Sequence, residues 1–247
     1  MDFIQDWRNR LGFSLRNSFQ RKRTLLPRVA EDEINLRLQR EFNDFLNLFS
    51  PEVFAPLLAT ADPQQAPLRV ADVGARNFCF APVIENFFRT LAKSHPPAEN
   101  IPIAIHGIEV DGYRRFKNGH TRADYGFYFA QKVQRGTFHV MDFLNFQKKL
   151  DCIFLLNPFV YRESVLHWGL PKTFLQPQKI LAHCFDLLGP QGLLVLSSPT
   201  QEEWSLLVPM AQQAGFELIE ERIWKPSAHT AQERARFGGL FLRGPRK

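Results

Sequence analysis

Five apolar runs in this chain each end where a strand of an open sheet would hand over to a loop, and four of them close on an acid or an amide. LRVADVGARNFCF, residues 68 to 80, passes from Val70, Ala71 and Val73 through Asp72 to Gly74. IPIAIHGIEVD, 101 to 111, ends on Glu109 and Asp111; GTFHVMDF, 136 to 143, reaches Asp142; DCIFLLNPF, 151 to 159, reaches Asn157. The fifth, GLLVLSSP at 192 to 199, follows a helix-like segment and a Gly-Pro-Gln-Gly turn. Runs this apolar suit parallel strands covered on both faces. Parallel strands present their C-terminal ends along one edge of an open sheet, so the carboxylates gather at a single crevice.

These segments, from about Leu68 to Leu242, resemble the class I S-adenosylmethionine-dependent methyltransferases in strand order and in the placement of acids. The resemblance implies a Rossmann-like α/β fold: a seven-stranded, mostly parallel sheet with one antiparallel strand, and helices on both faces. It implies S-adenosylmethionine as cofactor and a methyl acceptor of unidentified nature. By the same resemblance the loop Gly74, Ala75, Arg76 and Asn77 lies against the methionine end of the cofactor, and Asp72 fixes that loop and the cofactor's amino group. Glu109 takes the ribose hydroxyls, Asp142 receives the adenine amino group with Phe143 against the ring, and Asn157 sits near the transferable methyl.

The chemistry supports these placements independently. A ribose diol offers two donors that one ionised carboxylate can accept together. Asp111 competes with Glu109 for that role, lying two residues on along an extended strand; Glu109 is preferred because it follows Gly107 and Ile108 as the family's acid does. The first loop departs from the family pattern of two or three close glycines, because Ala75, Arg76, Asn77 and Phe78 follow Gly74. Arg76 either pairs with the cofactor carboxylate, as a guanidinium fork suits, or points into solvent. Asn157-Pro158-Phe159 lacks one proline of the Asn-Pro-Pro-aromatic motif of amino-group methyltransferases, and a strand end with a stiff turn is the favoured reading.

Around this frame, residues 31 to 49 read as an amphipathic helix with Glu31, Asp32 and Glu33 in its first turn and Ile34, Leu38, Phe42, Phe45 and Phe49 as its stripe. Ser50 and Pro51 end it. A helix over 81 to 93 buries Val83, Ile84, Phe87, Phe88 and Leu91 and serves as the crossover between parallel strands. The segment between Asp111 and Gly136, with Tyr113, Arg114, Arg115, Tyr125 and Tyr128, is polar and aromatic, as a helix near a ligand mouth would be, and nothing in it decides chemistry. GFELIEERIW (215 to 224) and RFGGLFLRG (236 to 244) read as a final antiparallel pair joined by the polar insert 225 to 235. The expected organisation is a helical basic extension, 1 to 67, before a methyltransferase-like domain, 68 to 247. Substrate choice is expected to reside in the extension and the insert.

Charge is concentrated at one end: residues 1 to 30 hold seven arginines and lysines against two aspartates, an excess of five within a formal total of +6. With Trp7, Phe13 and Phe19 interleaved, this segment reads as a nucleic-acid arm, a membrane-surface helix, or a basic helix folded over the domain. Cys79, Cys152 and Cys184 have no paired spacing, so neither a disulfide framework nor a zinc site is expected, and a cytoplasmic setting is the default. Charges interrupt the apolar residues of MDFIQDWRNR, so no signal peptide is expected, and no run approaches the ~20 apolar residues of a membrane span.

Methyl transfer from a sulfonium depends on alignment more than on acid or base catalysis. His106, His139, His167 and Tyr161 are the available bases, and none is singled out; His139 alternates with Met141 and is expected to be buried. Two other classes stay open: a cofactor-free scaffold or regulatory subunit that keeps the fold, and an RNA-binding protein led by the basic arm.

Overall fold

A computed structural model describes residues 33–59, 66–95, 98–225 and 235–245. The basic segment 1–30, with the nucleic-acid expectation attached to it, and most of the insert 225–235 lie outside the described residues. Among the described residues no helix is long and apolar enough to cross a membrane.

Seven strands form one sheet: β1 (Leu68–Val73), β2 (Ile103–Glu109), β3 (Arg135–Val140), β4 (Leu150–Leu156), β5 (Leu188–Ser198), β6 (Phe216–Trp224) and β7 (Arg236–Arg243). Their order across the sheet is β3-β2-β1-β4-β5-β7-β6. The first five are parallel to their neighbours, and β7 runs antiparallel to both β5 and β6. The sheet thus has the seven strands and the single antiparallel strand expected, with helices on both faces. The order reverses direction between β1 and β4, and at such a switch point the two flanking loops part to leave a crevice.

Helices α1 (Glu33–Leu46), α2 (Ala55–Ala59), α3 (Ala81–Lys93) and α4 (Arg122–Ala130) accompany one face, with α5 (Arg162–His167) after β4; α6 (Pro177–Leu187) and α7 (Gln201–Gln213) cover the other. Side-chain alternation separates two cores. Val70, Ile105, Phe154 and Val195 join Phe42, Phe54 and Phe88, while Ala71, Ile153, Leu194 and Phe241 join Leu181, Trp204 and Leu207. The phenylalanines are packing residues in the main, arranged edge to face around Phe54, Phe87 and Phe88.

Helix α3 occupies the expected span, with Pro82 in its first turn where a missing N–H costs nothing. Two expectations need correction. Helix α1 stops at Leu46 rather than 49, because Leu48 and Phe49 bond three residues back to Phe45 and Leu46, tightening the last turn. Its expected stripe holds at Leu38, Phe42, Phe45 and Phe49 but fails at Ile34, which is 60% exposed, while Asn35 is buried in its place. The side chain of Asn35 accepts a hydrogen bond from Asn77 at 2.8 Å, which turns that amide inward.

Candidate functional site

At the end of β1 the chain enters a loop in left-handed conformations, with φ of +71° at Gly74, +52° at Arg76 and +60° at Phe78. Two backbone bonds, from Gly74 and Ala75 to the carbonyl of Ile108, tie this loop to β2. Phe78 then folds back over the sheet and lies on Gly107, where an added Cβ would meet Cδ2 of its ring at 2.5 Å. Gly107 is therefore needed for the approach of a ring rather than of a ligand. Helix α1 closes over the same loop: Gln39 Nε2 donates to the carbonyl of Cys79 at 2.7 Å, and Phe42 stacks on Phe80 at 4.4 Å.

The two acids at this end of the sheet differ in their partners. Asp72 is 2% exposed, and its Oδ2 has no hydrogen-bond partner among the described residues. Burial, aided by the neighbouring Glu109 charge, pushes its carboxyl up to about 7. Glu109 is 5% exposed and well supplied. Its Oε2 accepts the backbone N–H of Arg76 at 2.9 Å; its Oε1 accepts that of Asp111 at 2.8 Å and Nη1 of Arg122 at 3.2 Å.

Arg122 reaches this position because it opens α4. Thr121 caps the helix, accepting from the Asp124 N–H at 3.0 Å, while Asp124 accepts from the Thr121 N–H at 2.8 Å. This reciprocal box fixes the first turn. The Arg122 guanidinium is covered on its other side by the Trp168 ring, 4.9 Å away. Arg114 pairs with Asp111 at 2.6 Å and donates to the carbonyl of Trp168, so the segment after β2 and the end of α5 are held together. Arg76 rests against Phe116 at 5.7 Å.

These side chains line a cavity of about 290 Å³, bounded by Arg76, Arg114, Arg115, Phe116, Arg122, His167 and Trp168. The segment that gave no chemical signal in the sequence thus supplies half of a site. Its density of arginine and aromatic residues between Asp111 and Arg122 was the available signal, but it has no helical or strand period that would mark it as facing inward.

The remaining expected residues lie apart from this cavity. Asp142 is half-buried and its Oδ1 caps a short 3₁₀ turn by accepting from the Leu144 N–H at 3.0 Å. Phe143 is buried, its ring 5.0 Å from His183. Asn157, at φ +53°, bonds through its backbone N–H to Ser197 O and accepts at Oδ1 from Ser197 Oγ. It borders a smaller cavity of about 70 Å³ between α1 and the ends of β4 and β5, with Phe42, Phe45, Phe80 and Trp224 as its walls. The loop at 74–76, Asp72 and Glu109 lie together on one side of the switch point; Asn157 lies on the other.

Comparison of the chain with protein-family models gives no match, and comparison with curated proteins gives none. Solved structures do match. The N-methyltransferase NodS from Bradyrhizobium japonicum WM9 is 13% identical with a TM-score of 0.47, over 78% of this chain and 93% of that one. The magnesium protoporphyrin IX methyltransferase ChlM from Synechocystis PCC 6803, solved with bound SAM, is 16% identical with a TM-score of 0.48, over 87% of this chain and 84% of that one.

The four possible bases separate by position. His167 lines the larger cavity and Tyr161 is exposed. His139 is half-buried rather than buried: it sits on β3, the strand at one edge of the sheet, and meets His106 Nδ1 at 3.2 Å through its Nε2. Both rings pack on Phe146. Burial, with Lys148 nearby, lowers both, His106 to about 4.

Proposed function

We propose that this protein transfers a methyl group from S-adenosylmethionine to an acceptor, with the cofactor held at the β1/β2 side of the switch point. The observation that carries the reading is Asp72: a buried carboxylate oxygen without a partner, at the end of the first strand, asks for a donor-bearing ligand. An ammonium offers three donors and a positive charge. At Gly74 nothing lies within 4 Å of where a Cβ would stand, so the backbone beside Asp72 is open to approach.

When bound, S-adenosylmethionine supplies a methyl group on a sulfonium, whose transfer is governed mainly by alignment. The chain's own groups do the positioning. Asp72 holds the amino group, and Gly74 and Ala75 give backbone contact. Glu109 has about four acceptor positions as a carboxylate, of which three are in use, so full engagement of a ribose diol requires Arg122 to withdraw. Asp142 would take the adenine amino group with the oxygen not used at Leu144, Phe143 would supply an apolar wall, and Asn157 would stand near the transferable methyl.

A second reading, a scaffold or regulatory subunit without cofactor, is favoured by one observation: Glu109 is already bonded to Arg122, under the cover of Trp168. Calorimetric titration of the full chain with S-adenosylmethionine and S-adenosylhomocysteine separates the two. Micromolar binding, weakened by about one to two powers of ten in Glu109→Ala, supports the enzyme reading. Absence of binding by a protein shown to be folded supports the scaffold.

A further inference from the structure

The larger cavity carries an electrostatic character that the methyl donor does not call for. Four guanidinium groups, of Arg76, Arg114, Arg115 and Arg122, face a space of about 290 Å³. Two of them are answered by acids: Arg122 by Glu109 at 3.2 Å and Asp111 at 3.7 Å, Arg114 by Asp111 at 2.6 Å. Arg76 and Arg115 have no carboxylate partner among the described residues. The site therefore holds an excess of two positive charges in a recess walled by Phe116 and Trp168. A sulfonium is repelled there, whereas an anion meets two free planar forks whose donors match phosphate or carboxylate oxygens in pairs.

The aromatic walls add a second requirement. Arg76 lies over the Phe116 ring at 5.7 Å and Arg122 over the Trp168 ring at 4.9 Å, and both rings border the same space. Arg–ring platforms of this kind favour a flat ligand body, by stacking on the guanidinium or on the ring. A volume near 290 Å³ lies at the lower end of small-molecule sites, roughly 300–1,000 Å³. That is room for one ring system and one anionic group.

We infer that this pocket binds the phosphate or carboxylate group of a small, planar anionic ligand through Arg76 and Arg115. Resting on the methyl-transfer reading, that ligand is the acceptor, so the reaction modifies an anionic aromatic or heteroaromatic molecule. Arg114 is held by Asp111 and Trp168, and Arg122 stays opposite Asp111 when the ribose takes Glu109; Arg76 and Arg115 are the exposed part, able to close on the anion.

Titration of the full chain with phenyl phosphate, benzoate and inorganic phosphate tests this, each with and without saturating S-adenosylhomocysteine. The expected result is that phenyl phosphate or benzoate binds more tightly than inorganic phosphate, weakens with added salt, and binds at least as well when S-adenosylhomocysteine is present. Which of the two ring compounds binds identifies the anionic group. Arg115→Gln and Arg76→Asn should each weaken it by about ten- to a hundredfold, with Arg115→Lys intermediate. Both sites are exposed, and asparagine tolerates the left-handed backbone of position 76. Absence of binding by all three probes, affinity unchanged in both variants, or displacement by S-adenosylhomocysteine would each overturn the inference. Loss of cofactor binding in the wild type with probe binding intact removes the methyl-transfer reading and leaves the anion pocket standing.

Discussion

Arg122 Nη1 and Glu109 Oε1 lie 3.2 Å apart with both side chains almost wholly buried, 5% and 6% exposed. A pair so enclosed is costly to break from one side, because the partner remains as an uncompensated charge. Glu109→Gln should therefore cost about 3 kcal/mol of stability, the lower end of the usual range, since Asp111 still faces the guanidinium at 3.7 Å. Urea denaturation measures it, and a loss well under 1 kcal/mol would show that the pair is not structural. The converse variant, Arg122→Met, frees an acceptor position on Glu109 and should tighten S-adenosylmethionine binding if Arg122 is the obstacle.

Asp72 gives the protein an unusual dependence on pH. Its folded carboxyl is raised to about 7, above the unfolded value of roughly 3.9. A raised group stabilises the fold fully below the unfolded value and withdraws that stability as pH climbs through the folded one. Between about pH 4 and 7 the wild type should lose stability relative to Asp72→Asn, which thermal melts across that range will show. An ammonium docking beside Asp72 favours the carboxylate, so cofactor binding near neutral pH should release a proton. Calorimetry in buffers of different ionisation enthalpy would detect it, and no proton release would argue that the amino group goes elsewhere.

His106 acts in the opposite direction. Its folded value is lowered to about 4, below the roughly 6.5 of a free imidazole, so its contribution is present above about pH 6.5 and disappears as pH falls toward 4. His106→Gln should flatten the acid limb of the stability profile while leaving the neutral region little changed. An unchanged acid limb would mean that other groups govern it.

Gly107 and Phe78 make a test of the loop that does not touch a charged group. The Cβ of Gly107→Ala would stand 2.5 Å from Cδ2 and 2.7 Å from Cγ of the Phe78 ring. Overpacking of this kind costs about 1–3 kcal/mol and here moves the loop that bears Arg76. Adding Phe78→Leu should recover part of both stability and ligand binding. If the double variant is no better than the single one, the clash is not the cause.

The strand ends were legible in the sequence because burial on both faces leaves an uninterrupted apolar run, and the acid or amide near its end marks the handover to a loop. Asp72, Glu109, Asp142 and Asn157 lie at such ends, and α3 was legible from its stripe. Helix α1 was misread by one position because an amphipathic pattern counts apolar residues, whereas Asn35 is turned inward by an amide 42 residues away. The arginine pocket was illegible for a related reason. Arg122 is buried only because Glu109 and Trp168 enclose it from separate elements, and a local window of sequence shows only a polar, aromatic stretch suited to a ligand mouth, without saying which side chains turn inward.

The left-handed conformation of Arg76 has one more implication. A backbone at φ +52° is one that glycine occupies freely and most other residues enter at a penalty of about 1–2 kcal/mol. Replacing Arg76 by glycine should make the fold more stable while removing a charge from the mouth of the cavity. The protein thus holds a guanidinium at a position where folding alone would select against it, which makes residue 76 a point where stability and ligand binding pull in opposite directions.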